Sequence, residues 1–87
     1  MIGPRRVLVT GAGRRIGAGL SIALAEAGWH VVLHYNQAAT EAQTLCETLT
    51  AAGKNVELVQ ADLAKTDDID KLMAQARSSG PLDAVIN

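Results

Sequence analysis

A glycine-rich segment at residues 10–17 (TGAGRRIG) contains residue types whose spacing suits the binding of an anion. It follows a short aliphatic run and precedes a segment with apolar residues at helical spacing. At such a junction, backbone N–H groups and the positive end of the helix dipole both face the turn. The pattern therefore predicts a dinucleotide-binding turn that holds a pyrophosphate. A tight strand-to-helix turn that binds no ligand is the alternative interpretation.

The charges around this turn indicate which dinucleotide it would bind. NAD-binding proteins place an acidic residue about 20 positions further on, where it holds the ribose 2′-hydroxyl. Here residues 33–37 read LHYNQ and contain no carboxylate, whereas Arg14 and Arg15 lie in the turn itself. Because a guanidinium matches phosphate in shape and charge, the sequence favours a 2′-phosphate and hence NADP(H). The alternative is that both arginines are solvated surface charges.

Short aliphatic runs alternate with longer periodic segments along the chain. We predict strands at residues 6–10, 30–34, 56–60 and 82–87 and helices at residues 15–27 and 38–52. A third helix is predicted from an N-cap at Thr66 to a stop at Gly80-Pro81. In the first helix the apolar positions at helical spacing are Ile16, Leu20, Ala23, Leu24 and Ala27.

This alternation predicts an α/β protein with a Rossmann-type, doubly wound parallel sheet. The first two helices should cover one face of the sheet and the third helix the other. One helix cannot cover a face of four strands that are apolar on both sides, and the last strand would form an unprotected edge. We therefore expect residues 1–87 to be the N-terminal β-α-β-α-β-α-β portion, still incomplete, of a single dinucleotide-binding domain.

The composition excludes several classes of protein. With 48% hydrophobic and 20% charged residues, the chain is too apolar for a disordered protein. A net charge of −1 argues against a nucleic-acid partner. The single cysteine, Cys46, makes neither an internal disulfide nor a Cys-rich metal site. The chain has no apolar run of signal-peptide or membrane-span length, so we expect a cytoplasmic protein without a membrane partner.

Three motifs give the chain a resemblance to the short-chain dehydrogenase/reductase family. The family pattern T-G-x-x-x-G-x-G is matched by Thr10, Gly11 and Gly17. Its acidic-aliphatic pair after the third strand is matched by Asp62-Leu63, which the resemblance implies to hold the adenine ring. Its N-N-A-G motif after the fourth strand is matched by Asn87 alone. The resemblance covers the whole chain and implies a small-molecule substrate and a homo-oligomer.

One departure from the family pattern points to a narrower resemblance. Arg15 replaces the middle glycine, and residues 34–36 (HYN) follow the second strand. Both features resemble the pteridine reductase branch, in which the equivalent residues contact the phosphate and ribose of NADPH. A serine expected shortly afterwards is replaced by Ala38.

The predicted cofactor-binding residues lie in the glycine turn and after strands two, three and four. They are Gly11, Arg14, Arg15, Ile16, Gly17, His34, Tyr35, Asn36, Asp62, Leu63 and Asn87. Two of these have structural alternatives, because His34 suits a buried strand end and Asp62 suits a turn. We predict no metal site.

No catalytic residue is assigned within the chain. The family uses a Tyr-x-x-x-Lys pair as proton donor, but Tyr35 is the only tyrosine and Ala39 stands four residues later. We expect the full-length protein to be an NADPH-dependent reductase of C=O or C=N bonds, such as those of a pterin or another small carbonyl compound, and the 87-residue chain alone to be inactive. A non-catalytic nucleotide-binding module and another Rossmann-like enzyme, such as a methyltransferase, are the alternatives.

Overall fold

The computed structural model describes residues 5–78 and 80–87. In this part of the chain the strands are β1 (Arg6–Val9), β2 (His30–Tyr35), β3 (Val56–Gln60) and β4 (Ala84–Ile86). They alternate with the helices α1 (Arg15–Glu26), α2 (Ala39–Ala51) and α3 (Thr66–Ala76). Residues 1–4 lie outside the described residues. They belong to the segment for which we expect no signal peptide.

The strands form a parallel sheet in the order β3-β2-β1-β4. Val7 pairs with Val31 on one side and with Ala84 on the other, and Val31 pairs with Val56. The chain therefore winds outward from β1 to β3 and returns across the sheet to β4. This topology confirms the predicted doubly wound α/β fold, and it brings the carboxyl ends of the strands together at one edge.

The two faces of the sheet carry separate cores. Alternate residues of β1 and β2, among them Val7 and Leu33, pack with Ala25 of α1 and Leu49 of α2. The opposite alternation places Leu8, Val32 and Val59 against Leu72 and Ala76 of α3. Because side chains alternate between faces along a strand, a continuous aliphatic run supplies both cores. The helices divide as predicted, with α1 and α2 on one face and α3 on the other.

The apolar stripe expected along α1 forms its inner face only in part, because Leu24 packs against the core whereas other members do not. Ile16 is 80% exposed and Leu20 is 40% exposed, whereas Ser21 and Ala25 are buried. The Ser21 hydroxyl donates to the Gly17 carbonyl oxygen at 2.7 Å, so this small polar residue is satisfied inside the helix. Small residues on the inner face let α1 approach the sheet closely, and this leaves the larger apolar residues at the rim.

The third helix begins and ends differently from the prediction. Its N-cap is Lys65, and Thr66 is already its first helical residue. The turn before it brings the Lys65 N–H to the Asp62 carbonyl oxygen at 3.0 Å, which starts the helix one position early. The helix stops at Ala76, with Arg77 as its C-cap, well before Gly80-Pro81. The other element bounds agree with the predictions to within two residues.

The amino ends of the strands are held by a charged network. The buried Arg6 side chain donates from Nη2 to Glu57 Oε1 at 3.1 Å and to the Ala76 carbonyl oxygen at 2.6 Å. The same Glu57 oxygen lies 2.9 Å from His30 Nε2. The network joins β1, β2, β3 and α3 at the edge opposite the glycine turn, so its role is structural.

Candidate functional site

The glycine turn leaves β1 through a fixed set of backbone bonds. Thr10 N–H donates to the Ile86 carbonyl oxygen at 2.9 Å, and Ala12 N–H donates to the His34 carbonyl oxygen at 2.8 Å. Gly11 has a φ of +64°, a left-handed conformation that residues with a Cβ rarely adopt. The turn is therefore held between the ends of β2 and β4, and glycine is required at its sharpest point.

Two other glycines bring α1 and α2 close to the turn. A Cβ on Gly17 would overlap the Gly11 carbonyl oxygen, so α1 begins directly against the turn. A Cβ on Gly13 would lie 2.8 Å from the Ala38 carbonyl oxygen, where α2 begins. Gly13 was not among the predicted site residues, because it lies outside the family spacing; its packing shows only in the folded chain.

The first turn of α1 has the properties of an anion site. Its N-cap residue, Arg14, makes no side-chain capping bond, and the first turn contains no acidic residue. The N–H groups at a helix start have no partner within the helix, and the dipole favours negative charge there. Close packing by Gly17 brings these groups to the cleft edge, which matches the predicted pyrophosphate site.

Two clefts flank the glycine turn. The first, which we call the β2–β3 cleft, has a volume of about 410 Å³. Of the predicted residues it is lined by Gly11, Arg14, His34, Tyr35, Asn36, Asp62 and Leu63. The second, which we call the β1–β4 cleft, has a volume of about 400 Å³ and is lined by Gly11, Arg14, Arg15, Ile16, Gly17 and Asn87, together with apolar residues such as Leu20. All eleven predicted residues thus lie at one of two adjoining clefts.

The two arginines lie differently with respect to these clefts. Arg14 lines both of them, whereas Arg15 lines only the β1–β4 cleft. The side chains that follow β2 belong to the β2–β3 cleft. The structure therefore brings Arg14 to the same cleft as Tyr35 and Asn36, and it places Arg15 on the other side of the turn.

The end of β2 is supported by a residue that the sequence analysis did not single out. Gln60 Nε2 donates to Asn36 Oδ1 at 3.1 Å. This bond uses the Asn36 oxygen as the acceptor, and the NH₂ group of the same amide can only donate. A donor without negative charge at this position suits a phosphate. Gln60 could have been found only through the parallel pairing that places it beside Tyr35.

The end of β3 forms a tight acidic turn. Asp62 Oδ1 accepts a hydrogen bond from the Ala64 N–H at 2.9 Å, and the Asp62 N–H donates to Asp68 Oδ2 at 2.9 Å. The turn interpretation of Asp62 is thus correct, and the turn also lines the β2–β3 cleft. The neighbouring Leu63 is 42% exposed at the same cleft, where it offers an apolar surface.

The remaining predicted residues are placed as follows. His34 lines the β2–β3 cleft but is only 3% exposed, and both of its ring nitrogens bond within the protein. Asn87 lies at the end of β4, where the Thr10 hydroxyl donates to its Oδ1 at 3.2 Å. Within residues 5–78 and 80–87 we find no cluster of three potential metal ligands, and no helix with the length and apolar character to cross a membrane.

Residues 5–87 match the model of a protein family described as short chain dehydrogenase. The chain belongs to the short-chain dehydrogenase family. It is 42% identical over 79 residues to a versicolorin reductase 1 of Dothistroma septosporum, covering 90% of this chain and 30% of that protein. It is 40% identical over 81 residues to a hydroxynaphthalene reductase of Aspergillus fumigatus, covering 92% and 30%.

Two solved structures that resemble the chain closely contain a bound cofactor of the same kind. FolM alternative dihydrofolate reductase 1 from Brucella canis, complexed with NADP, matches with a TM-score of 0.85 and 35% identity over 98% of this chain and 34% of that one. A blue fluorescent protein from a metagenomic library, in complex with NADPH, matches with a TM-score of 0.88 and 29% identity over 95% and 35%. The cofactor in both structures agrees with the predicted NADP(H). This short-chain dehydrogenase chain spans about a third of the length of these relatives.

Proposed function

We propose that residues 1–87 are the NADP(H)-binding part of a short-chain reductase that reduces a C=O or C=N bond of a small molecule. The main support for this proposal is the set of residues that line the β2–β3 cleft. There Arg14 lines the same cavity as the end of β2, and residues 33–37 contain no carboxylate. A guanidinium beside a strand end without a carboxylate suits the 2′-phosphate, whereas an NAD site needs an acceptor for the 2′-hydroxyl.

The residues around the two clefts would bind different parts of the cofactor. The uncapped first turn of α1 would bind the pyrophosphate, and Arg14 with Asn36 would bind the 2′-phosphate. The Asp62-Leu63 turn would hold the adenine ring, as the family resemblance implies. Arg15, Ile16 and Asn87 line the β1–β4 cleft, which would receive the cofactor beyond the pyrophosphate.

The reaction needs a hydride and a proton from different sources. A bound nicotinamide cofactor supplies the hydride, while the protein orients the reactants and provides the proton. Tyr35 has Ala39, not lysine, four residues later, so these 87 residues contain no Tyr-x-x-x-Lys pair. We propose that the proton donor lies outside them and that the 87-residue chain alone binds cofactor without turnover.

The substrate proposal rests on resemblance. Arg15 and residues 34–36 resemble the pteridine reductase branch, and one solved relative is named a dihydrofolate reductase. Two curated relatives are named reductases of versicolorin and of a hydroxynaphthalene. We therefore propose a pterin or another small carbonyl compound as substrate. Through the family resemblance we also propose a homo-oligomer, and we propose the cytoplasmic location that the composition favours.

Titration of the intact protein with NADPH and NADH tests the cofactor, and loss of reduced-nicotinamide absorbance with a dihydropterin or an aromatic ketone tests the reaction. We expect tighter binding of NADPH than of NADH, followed by turnover. Equal or tighter binding of NADH would contradict the cofactor proposal. Tight NADPH binding without turnover of any carbonyl substrate would favour a non-catalytic nucleotide-binding module.

A further inference from the structure

His34 connects the three segments that surround the β2–β3 cleft. Its ring Nδ1 accepts a hydrogen bond from the Gly11 N–H at 3.1 Å, and its Nε2 lies 2.9 Å from the Ala61 carbonyl oxygen. Its own carbonyl oxygen accepts from the Ala12 N–H at 2.8 Å. A single buried residue thus joins the glycine turn, the end of β2 and the end of β3.

These contacts require one protonation state of the ring. A carbonyl oxygen only accepts, so Nε2 must carry a proton to bond Ala61; a backbone N–H only donates, so Nδ1 must be bare to bond Gly11. The neutral imidazole with its proton on Nε2 satisfies both at once. Because both nitrogens are used in this way, the ring has none left to bond a ligand directly.

The position of the bonds gives His34 a role beyond filling the core. Gly11 is the left-handed residue of the turn, and its N–H is turned toward His34. Ala61 directly precedes Asp62, whose turn lines the far wall of the cleft. The ring therefore fixes the position of the glycine turn relative to the Asp62 turn across the cleft.

We infer that His34 is a positioning residue, which holds the glycine turn and the Asp62 turn in the arrangement that binds the cofactor. This inference rests on the proposed NADP(H) binding. It assigns His34 an effect on affinity through Gly11 and Ala61, without contact to the cofactor by its ring nitrogens. If His34 only filled the core, its substitution would change the stability of the fold. It would not weaken one part of the cofactor's binding more than another.

Three substitutions in the intact protein separate the two bonds. His34→Asn places an amide oxygen near the position of Nδ1 and keeps an acceptor for Gly11. His34→Gln reaches further and keeps a donor for Ala61. His34→Leu removes both bonds while retaining an apolar side chain. His30→Gln is the matched control, because His30 lies at the other end of β2 and bonds Glu57, away from both clefts.

Two ligands show which wall has moved. NADPH spans the glycine turn and the adenosine side, whereas adenosine 2′-phosphate has no pyrophosphate and depends less on the turn. We expect His34→Gln to weaken NADPH about fivefold, the effect of one lost hydrogen bond, and to weaken adenosine 2′-phosphate less, because Arg14 is its only proposed contact with the turn. His34→Asn loses the Ala61 bond and should weaken both ligands to a similar extent, because both contain the adenine ring, and His34→Leu should weaken NADPH the most.

Hydrogen exchange gives a readout that does not depend on ligand. The Gly11 amide should remain protected in His34→Asn and exchange faster in His34→Gln and His34→Leu. The inference would be overturned if NADPH affinity were unaltered in folded His34→Gln and His34→Leu, or if it fell equally in His30→Gln. Either result would leave the proposed function standing. Wild-type protein that does not bind NADPH would overturn the proposed function and this inference together.

Discussion

Gly17 lies directly against Gly11, because any Cβ at position 17 would overlap the Gly11 carbonyl oxygen and approach the Ala12 Cα at 3.1 Å. This contact joins the first turn of α1 to the sharpest point of the glycine turn. It explains why the helix N–H groups reach the cleft edge, where the pyrophosphate is proposed to bind.

Gly17→Ala should therefore damage both stability and cofactor binding. Backbone atoms cannot yield as a flexible side chain can, so we expect a loss of about 1–3 kcal/mol in the free energy of unfolding and a sharp fall in NADPH affinity. Denaturant unfolding and NADPH titration measure the two effects. Gly19→Ala is the control: a Cβ there meets nothing within 4 Å, and alanine should stabilise α1 by about 0.5–1 kcal/mol. Equal behaviour of the two variants would contradict the close-packing argument.

Arg14→Ala should reduce the preference for NADPH over NADH. Arg14 shares the β2–β3 cleft with Asn36, so we expect its removal to take a charge-assisted bond from the proposed 2′-phosphate. We expect NADPH to bind at least about tenfold more weakly, with little change for NADH. Arg15→Ala provides the comparison, since Arg15 lines the other cleft and should affect both cofactors alike. A loss of selectivity in Arg15→Ala instead would reverse these assignments.

Asn36→Asp should shift the cofactor preference from NADPH toward NADH. A carboxylate at the end of β2 repels a 2′-phosphate and accepts from a 2′-hydroxyl, so the ratio of NADPH to NADH affinity should fall at least about tenfold. Competitive titration of the two cofactors measures this ratio. Asn55→Asp adds the same charge at an exposed position beyond the other end of the sheet, where the ratio should not change.

Glu57→Gln should lower stability without changing cofactor affinity. The Glu57 carboxylate accepts from the buried Arg6 side chain and contacts His30, all at the amino ends of the strands. Replacing it with a neutral amide weakens bonds to a buried cation, and we expect a loss of about 2 kcal/mol in the free energy of unfolding. Thermal unfolding and NADPH titration check this, with Glu47→Gln on the exposed surface of α2 as control. A lower NADPH affinity of the folded fraction of Glu57→Gln would contradict a purely structural role.

The order of the elements was predictable because it depends on local pattern. Continuous aliphatic runs such as residues 30–34 mark buried strands, and glycines such as Gly28 and Gly53 follow the helices they close. In the structure, Trp29 N–H donates to the Leu24 carbonyl oxygen and Lys54 N–H to the Leu49 carbonyl oxygen, the bonds of a glycine-closed helix end. These features act within a few residues of each other and so are visible in the chain.

The errors arose where packing between elements overrides local pattern. The spacing of Ile16 and Leu20 indicated an apolar helix stripe, yet the small Ser21 and Ala25 face the sheet, because close approach of α1 favours small side chains. Thr66 has the residue type of an N-cap, but the Asp62 turn makes Lys65 the N-cap, so the helix begins at Thr66 itself. Neither outcome can be deduced from the segment alone.

The sequence by itself determined the α/β class and the parallel doubly wound sheet, because hydrophobic period and glycine placement act locally. Together with the family resemblance it also predicts the residues of the proposed cofactor site. Only the tertiary structure decided how those residues divide between two clefts, which arginine meets the end of β2, and that His34 faces Gly11 and Ala61 with both nitrogens. The two His34 bonds join positions 23 and 27 residues apart in the chain. They depend on strand order and register, which place the ends of separate strands side by side.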